Sequence, residues 1–204
     1  MAKLDLKKEF RELFAPPNRV FVEVSVPAMR FVQVDGAGDP NTAASYRTAV
    51  EWLYGVSYAM KFAAREVLAR DYVVPPLEAL WSSDDPGTFV RREKDHWHWT
   101  VMIMAPDFVT SAMFEDAVAK TLNKRNDRPL SLRFEPYVEG RSLQILHIGS
   151  YDDEGPILKR LHDEVMPALG VTFDGPHHEI YLSDPRKTDP VKLKTILRQP
   201  IRTI

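Results

Sequence analysis

The chain contains no cysteine, so disulfides, cysteine nucleophiles and thiolate metal sites are all excluded. It also lacks any apolar run approaching the ~18 residues that a membrane-spanning helix needs, and its N-terminus has no apolar signal-peptide core. These absences favour a cytoplasmic setting. Excess charge is missing too: a net charge of −2 argues against a general nucleic-acid or anionic-membrane partner. No serine sits in a Gly-x-Ser-x-Gly elbow, and Gly36-Ala37-Gly38 lacks the third glycine and the Lys-Ser/Thr of phosphate-binding loops. Zinc needs three or four convergent ligands. His96 and His98 share a strand face, but the adjacent His177 and His178 point to opposite faces, so no metal or other cofactor is expected.

What is present is an ordinary globular composition, 44% hydrophobic and 27% charged, in a length of 204 residues that suits one large domain or two small ones. Leu6, Phe10, Leu13 and Phe14 fall at helical spacing in an N-terminal arm, residues 1–18, which Ala15-Pro16-Pro17-Asn18 ends. Val20–Val26 and Met29–Val34 read as strands. Ala49, Leu53, Val56, Met60, Ala63 and Val67 are spaced 4-3-4-3-4, which predicts a long helix. Leu77–Ser82 and His96–Met104 follow as strands, and Ser111–Leu122 reads as a connecting helix. Leu130–Val138 and Leu143–Ile148 read as strands. An acidic cap and an early proline, Asp153-Glu154-Gly155-Pro156, open a helix that runs to about Leu169. His178–Leu182 and Lys194–Arg198 complete the set.

Strand–helix–strand–strand therefore occurs twice, once over about 20–105 and again over about 130–204, joined by a segment of about 106–128. The expected fold is α+β, two pseudo-symmetric modules with a central cleft as the natural ligand site. Aligning Leu77–Ser82 with His178–Ser183 matches Glu78 with Glu179.

In the second repeat, alternation puts His177, Glu179, Tyr181 and Ser183 on one strand face, about 7 Å between second neighbours, with His178, Ile180 and Leu182 on the other. Such a row either lines a polar-aromatic pocket or faces solvent. Trp97 and Trp99 share a strand face, and Tyr54 and Tyr58 stand at i, i+4 on the long helix. A carboxylate within an aromatic wall is poorly solvated, which raises its pKa and suits it to base chemistry or to pairing with a cation.

The run Glu139–Glu154, the run His177–Arg186 with Lys192–Arg198 behind it, and Leu53-Tyr54-Gly55-Val56-Ser57-Tyr58 resemble the stand-alone GyrI-like small-molecule-binding proteins. That resemblance implies tandem strand–helix–strand–strand modules (an SHS2 duplication) over about 19–204, in agreement with the repeat. One branch of the superfamily senses flat cationic drugs for transcription regulators. Another consists of cyclopropanoid cyclopropyl hydrolases, which open the strained ring of DNA-alkylating compounds. The first 20 residues are too short for a helix-turn-helix or winged domain, which favours an enzyme or a binding protein over a regulator.

The resemblance thus implies a metal-independent hydrolase of electrophilic cyclopropanoids, acting in detoxification. Glu179 would be the base on water, and Tyr181 or Tyr54 would orient that water or donate to the dienone oxygen. Tyr58, Trp97 and Trp99 would stack on a planar hydrophobic ligand, with His147 close by. Glu78 has Leu80 in place of the tyrosine, so the second repeat is expected to carry the chemistry. The alternative is a non-catalytic binder of many hydrophobic cations or drugs, using the same residues. Monomer and homodimer are both compatible with the sequence.

Overall fold

The computed structural model describes residues 3–204. Its strands are β1 (Val22–Val26), β2 (Met29–Ala37), β3 (Leu77–Ser82), β4 (His98–Ala105), β5 (Arg133–Tyr137), β6 (Gly140–Ile148), β7 (Val171–Phe173), β8 (His177–Tyr181) and β9 (Lys194–Thr203). The helices are α1 (Leu6–Glu9), α2 (Arg11–Phe14), α3 (Ala44–Val67), α4 (Gly87–Arg91), α5 (Ser111–Leu122), α6 (Gly155–Arg160) and α7 (Met166–Ala168). No helix among the described residues is long and apolar enough to cross a membrane.

The chain forms two compact units. The first takes the residues up to Glu9 with Ala28–Tyr137, and the second takes Phe10–Pro27 with Val138–Ile204. In the first, antiparallel pairing runs β3-β4-β2-β5. In the second it runs β8-β9-β6-β1, with β7 added along the far end of β9. Each unit is thus a strand–helix–strand–strand module with added strands, β5 in the first and β1 and β7 in the second. The pairing crosses the division read from sequence: β1 lies within the first repeat yet pairs with β6, while β5 lies within the second and pairs back onto β2. Such pairings span about a hundred residues and leave no local signature.

In the first unit α3 buries Ala49, Trp52, Leu53, Val56, Met60 and Ala64. The expected stripe drifts at its end: Ala63 is only half-buried and Val67 is 77% exposed. A 4-3 repeat averages 3.5 residues per turn, so on a straight helix of 3.6 it rotates off the core by about 20° per heptad. The first helix also differs from its reading, since Phe10 takes a non-helical conformation and divides it into α1 and α2.

The second unit has its apolar core between Leu143 and Ile201 on the sheet, Val171, and Leu161 and Met166 from the helical segment. That segment widens into a π-turn over Leu161–Val165, where the Met166 amide donates to the Leu161 carbonyl. Pro167 supplies no amide and crowds the carbonyl four residues back, which a wider turn accommodates.

The other face of this sheet carries a polar network instead. Paired residues His178↔Arg198↔Gln144 lie side by side. Arg198 donates to Glu139 Oε2 at 3.0 Å, to Gln144 Oε1 at 3.0 Å and to the Leu13 carbonyl at 2.8 Å. His178 Nδ1 lies 2.9 Å from Glu139 Oε1. Burial pushes the Glu139 carboxyl up, but His178 and Arg198 outweigh it and hold the pKa near 2. An ionised carboxylate only accepts, so His178 Nδ1 carries the shared proton. Gln144 in turn donates to the Glu12 carbonyl at 2.7 Å, so the network ties residues 12 and 13 to the sheet. Breaking a buried ion pair from one side strands the other charge. Glu139→Gln is therefore expected to lower unfolding stability by about 3 kcal/mol or more in urea titrations, and a loss under about 1 kcal/mol would contradict this account.

Candidate active site

On β8 the burial pattern alternates: His178 and Ile180 are buried, while His177, Glu179 and Tyr181 are half-buried. The pairing register places Glu179↔Leu197↔Ile145 and Tyr181↔Thr195↔His147 in rows across the face that carries the apolar core. Leu143 is on this same face, so Glu179 and Tyr181 share it with the helical segment rather than with the Glu139 network.

Tyr181 and His177 flank the Glu179 carboxylate. The Tyr181 hydroxyl donates to Oε2 at 2.8 Å, an i, i+2 contact that strand alternation makes possible. His177 Nε2 stands 3.6 Å from Oε1, beyond hydrogen-bonding reach. Burial, then the nearby His162 and His178, drive the His177 pKa down to about 3, so this imidazole is neutral beside Glu179. His162 itself sits in the π-turn, edge-on to Phe173 at 4.9 Å, with its pKa also lowered by burial.

A third aromatic residue completes the group. Tyr151 stands edge-on to Tyr181, with ring centroids 5.6 Å apart and planes at 78°. Its phenol is pushed up to about 12 by burial and then by the carboxylates of Glu179, Glu154 and Asp184. Glu154 is buried at the start of α6. Asp184 is bracketed by Arg186, whose side chain and amide hold its carboxyl down near 2.

His147 is buried two strands from Tyr181, about 10 Å away across the sheet. Its Nε2 lies 2.9 Å from the Ser150 carbonyl, which accepts only, so Nε2 bears the proton. Gly149 is the residue that makes this possible. At φ 149° a side chain is strained, and a Cβ there would lie 3.0 Å from the His147 ring. Ser150 Oγ then donates to Asp153 Oδ2 at 2.6 Å and closes the turn that carries Tyr151.

The remaining sequence candidates lie in the first unit. Tyr54 and Tyr58 on α3 are near-parallel, centroids 6.4 Å apart at 27°, and Phe62 continues the ladder at 6.4 Å and 30°. Tyr58 and Phe62 are 46% and 44% exposed, a surface on which a flat molecule can stack. Trp99 is placed differently, at 3% exposure. It lies across Gly36, where a Cβ would meet its ring at 2.2 Å, and edge-on to Tyr46 at 5.0 Å. Trp97 is half-buried between Phe89 and Trp81, at 5.0 and 5.8 Å. Among the described residues, no group of three or more His, Asp or Glu is arranged to hold a metal ion.

The sequence pattern gave Tyr151 no role and Glu154 only a place in the acidic cap of a helix. Both lie in the run that carried the family resemblance, but a short 3₁₀ turn, Tyr151–Asp153, has no periodicity to reveal them. The neutral His177 also has a measurable consequence. Its pKa is lower folded than the usual 6.5, so the unfolded chain takes up the proton first as pH falls. Stability contributed by His177 is complete above about pH 6.5 and is lost on acidification toward pH 3. Between pH 7 and 5 the loss should be on the order of 1–2 kcal/mol in the native protein and absent in His177→Asn, read from urea midpoints; parallel profiles would contradict it.

The GyrI-like small molecule binding domain family matches residues 21–202. Among solved structures, an uncharacterized conserved protein from Listeria innocua is 37% identical with a TM-score of 0.89, covering 98% of this chain and 100% of that one. Two hydrolases from Listeria innocua are each 36% identical at the same coverage, with TM-scores of 0.86 and 0.83. The C-terminal domain of EcmrR, at 11% identity and TM-score 0.59 over 91% of this chain and 98% of that one, shares the fold alone. No curated protein matches. The family match runs from β1 into β9, and the chain belongs to the GyrI-like small-molecule-binding domain family.

Proposed function

We propose that this protein binds flat hydrophobic molecules and hydrolyses electrophilic cyclopropanes conjugated to a dienone, with Glu179 as the base that activates water. The observation that carries this reading is the Glu179 carboxylate, fixed through Oε2 by Tyr181 and set beside a neutral imidazole. Solved relatives at 36% identity described as hydrolases support it.

The chemistry asks little of the protein. Water is a poor nucleophile, and a positioned base accelerates its attack by roughly 10²–10⁴. Glu179 takes a proton from water as its oxygen bonds to the ring methylene. The carbon–carbon bond of the cyclopropane breaks, and its electron pair moves through the dienone to the carbonyl oxygen. That oxygen becomes a phenol, so release of strain and aromatisation drive the step. Orientation of water and ligand supplies the rest. Tyr181 acts through Glu179, holding one oxygen so that the other meets water.

A second reading has a specific observation behind it. Glu179, Glu154 and Asp184 all bear on Tyr151, a concentration of negative charge that suits a hydrophobic cation. On this reading the protein sequesters cationic drugs without chemistry.

The test is incubation with a spirocyclopropyl dienone, following the water adduct by mass spectrometry. Native protein is expected to form it, and Glu179→Gln to lose roughly 10²–10⁴ in rate. No adduct from native protein, with cationic dye binding that still depends on Glu179, would replace hydrolysis by sequestration.

A further inference from the structure

Opening the ring places negative charge on the dienone oxygen, and a donor aimed at that atom lowers the barrier. Tyr181 is poorly placed to supply it. A phenol has one proton to donate, and that of Tyr181 is donated to Glu179 Oε2 at 2.8 Å. The same unit offers a second phenol on the same group of residues. Tyr151 packs edge-on against Tyr181, is 39% exposed and therefore reachable by a ligand, and its hydroxyl has no hydrogen-bond partner among the described residues.

Tyr151 is also held by a built turn. His147 donates to the Ser150 carbonyl, the Asp153 amide donates to that carbonyl at 3.0 Å, and Ser150 Oγ donates to Asp153. The Gly149 amide donates to the Leu193 carbonyl at 3.0 Å and anchors the turn to the start of β9. A side chain so fixed loses little entropy when it meets a ligand.

We propose that Tyr151 is the hydrogen-bond donor to the dienone oxygen during ring opening, with His147 as a positioning residue behind it. This rests on the hydrolytic reading of Glu179. Tyr151 keeps its proton throughout: its pKa near 12 lies above the ~10 of an ordinary product phenol, so it stabilises the developing charge without transferring the proton. The phenol proton comes from the water proton that Glu179 accepted, by way of solvent, so that the net change is addition of one water.

The test is Tyr151→Phe, which keeps the ring against Tyr181 and removes only the hydroxyl. Steady-state hydrolysis of the spirocyclopropyl dienone should show kcat reduced by about tenfold to several hundredfold, with KM changed by less than about threefold. An unchanged kcat overturns the assignment. His147→Gln should lower kcat in the native background and have no further effect in Tyr151→Phe; an equal loss in both backgrounds removes His147 from the positioning role.

A binding measurement separates this proposal from the reading beneath it. The probes are the ring-opened phenol and the same ring system lacking that oxygen, titrated calorimetrically. Native protein should prefer the phenol, and Tyr151→Phe should lose that preference. If native protein turns nothing over, the Glu179 reading fails while the binding pair still judges Tyr151. An unaltered preference in Tyr151→Phe overturns the donor assignment.

Discussion

The site depends on a charge network that it never touches. Glu139, buried between Arg198 and His178, pins β8 to β9 and β6 in one register. A strand shifted by one residue turns every side chain to the opposite face. Slipping β8 in this way would carry Glu179 and Tyr181 to the network side and bring His178 onto the core face. Such a slip would take His178 away from the buried Glu139 carboxylate, and the cost of losing that buried partner opposes it. The charges therefore serve specificity of register, and on the other face they leave a carboxylate and a phenol two residues apart, close enough to share a proton.

The two modules use the same strand order for different ends. β3 occupies in the first unit the place that β8 occupies in the second. Glu78 of β3 is 1% exposed, against 14% for the Glu179 side chain, and Leu80 stands two residues on where β8 has Tyr181. Leucine has no hydroxyl to set against a carboxylate two residues away. The first unit instead presents the Tyr54–Tyr58–Phe62 ladder and buries Trp52, Trp81 and Trp99. One module thus places a hydrogen-bonded carboxylate and phenol where the other has a carboxylate and leucine, and the other presents the aromatic ladder.

Much of this was legible in the sequence where the signal was local. The alternation of β8 sorted His177, Glu179 and Tyr181 from His178 and Ile180, and the spacing of α3 located its buried stripe. What was hidden was long-range or aperiodic. Nothing near Val22 says that its partner is Gln144. Pro200 supplies no amide and so masks the continuation of β9 to Thr203, although its carbonyl accepts from Asp174. Trp99 shares a strand face with its neighbour in the pattern, but its burial follows from Gly36 on the paired strand, which leaves room for the indole ring. Tyr151 sits in a turn whose shape comes from His147 and Gly149, and no turn rule announces that a phenol there will reach Tyr181.

In the proposed reaction Glu179 activates water instead of attacking the ring itself. A single turnover in ¹⁸O-labelled water, with product and intact protein both weighed by mass spectrometry, tests it most directly. Water activation by Glu179 gives one labelled oxygen in the ring-opened product and a protein of unchanged mass. Unlabelled product with the label appearing in Glu179, or an alkyl adduct on that residue, would contradict it.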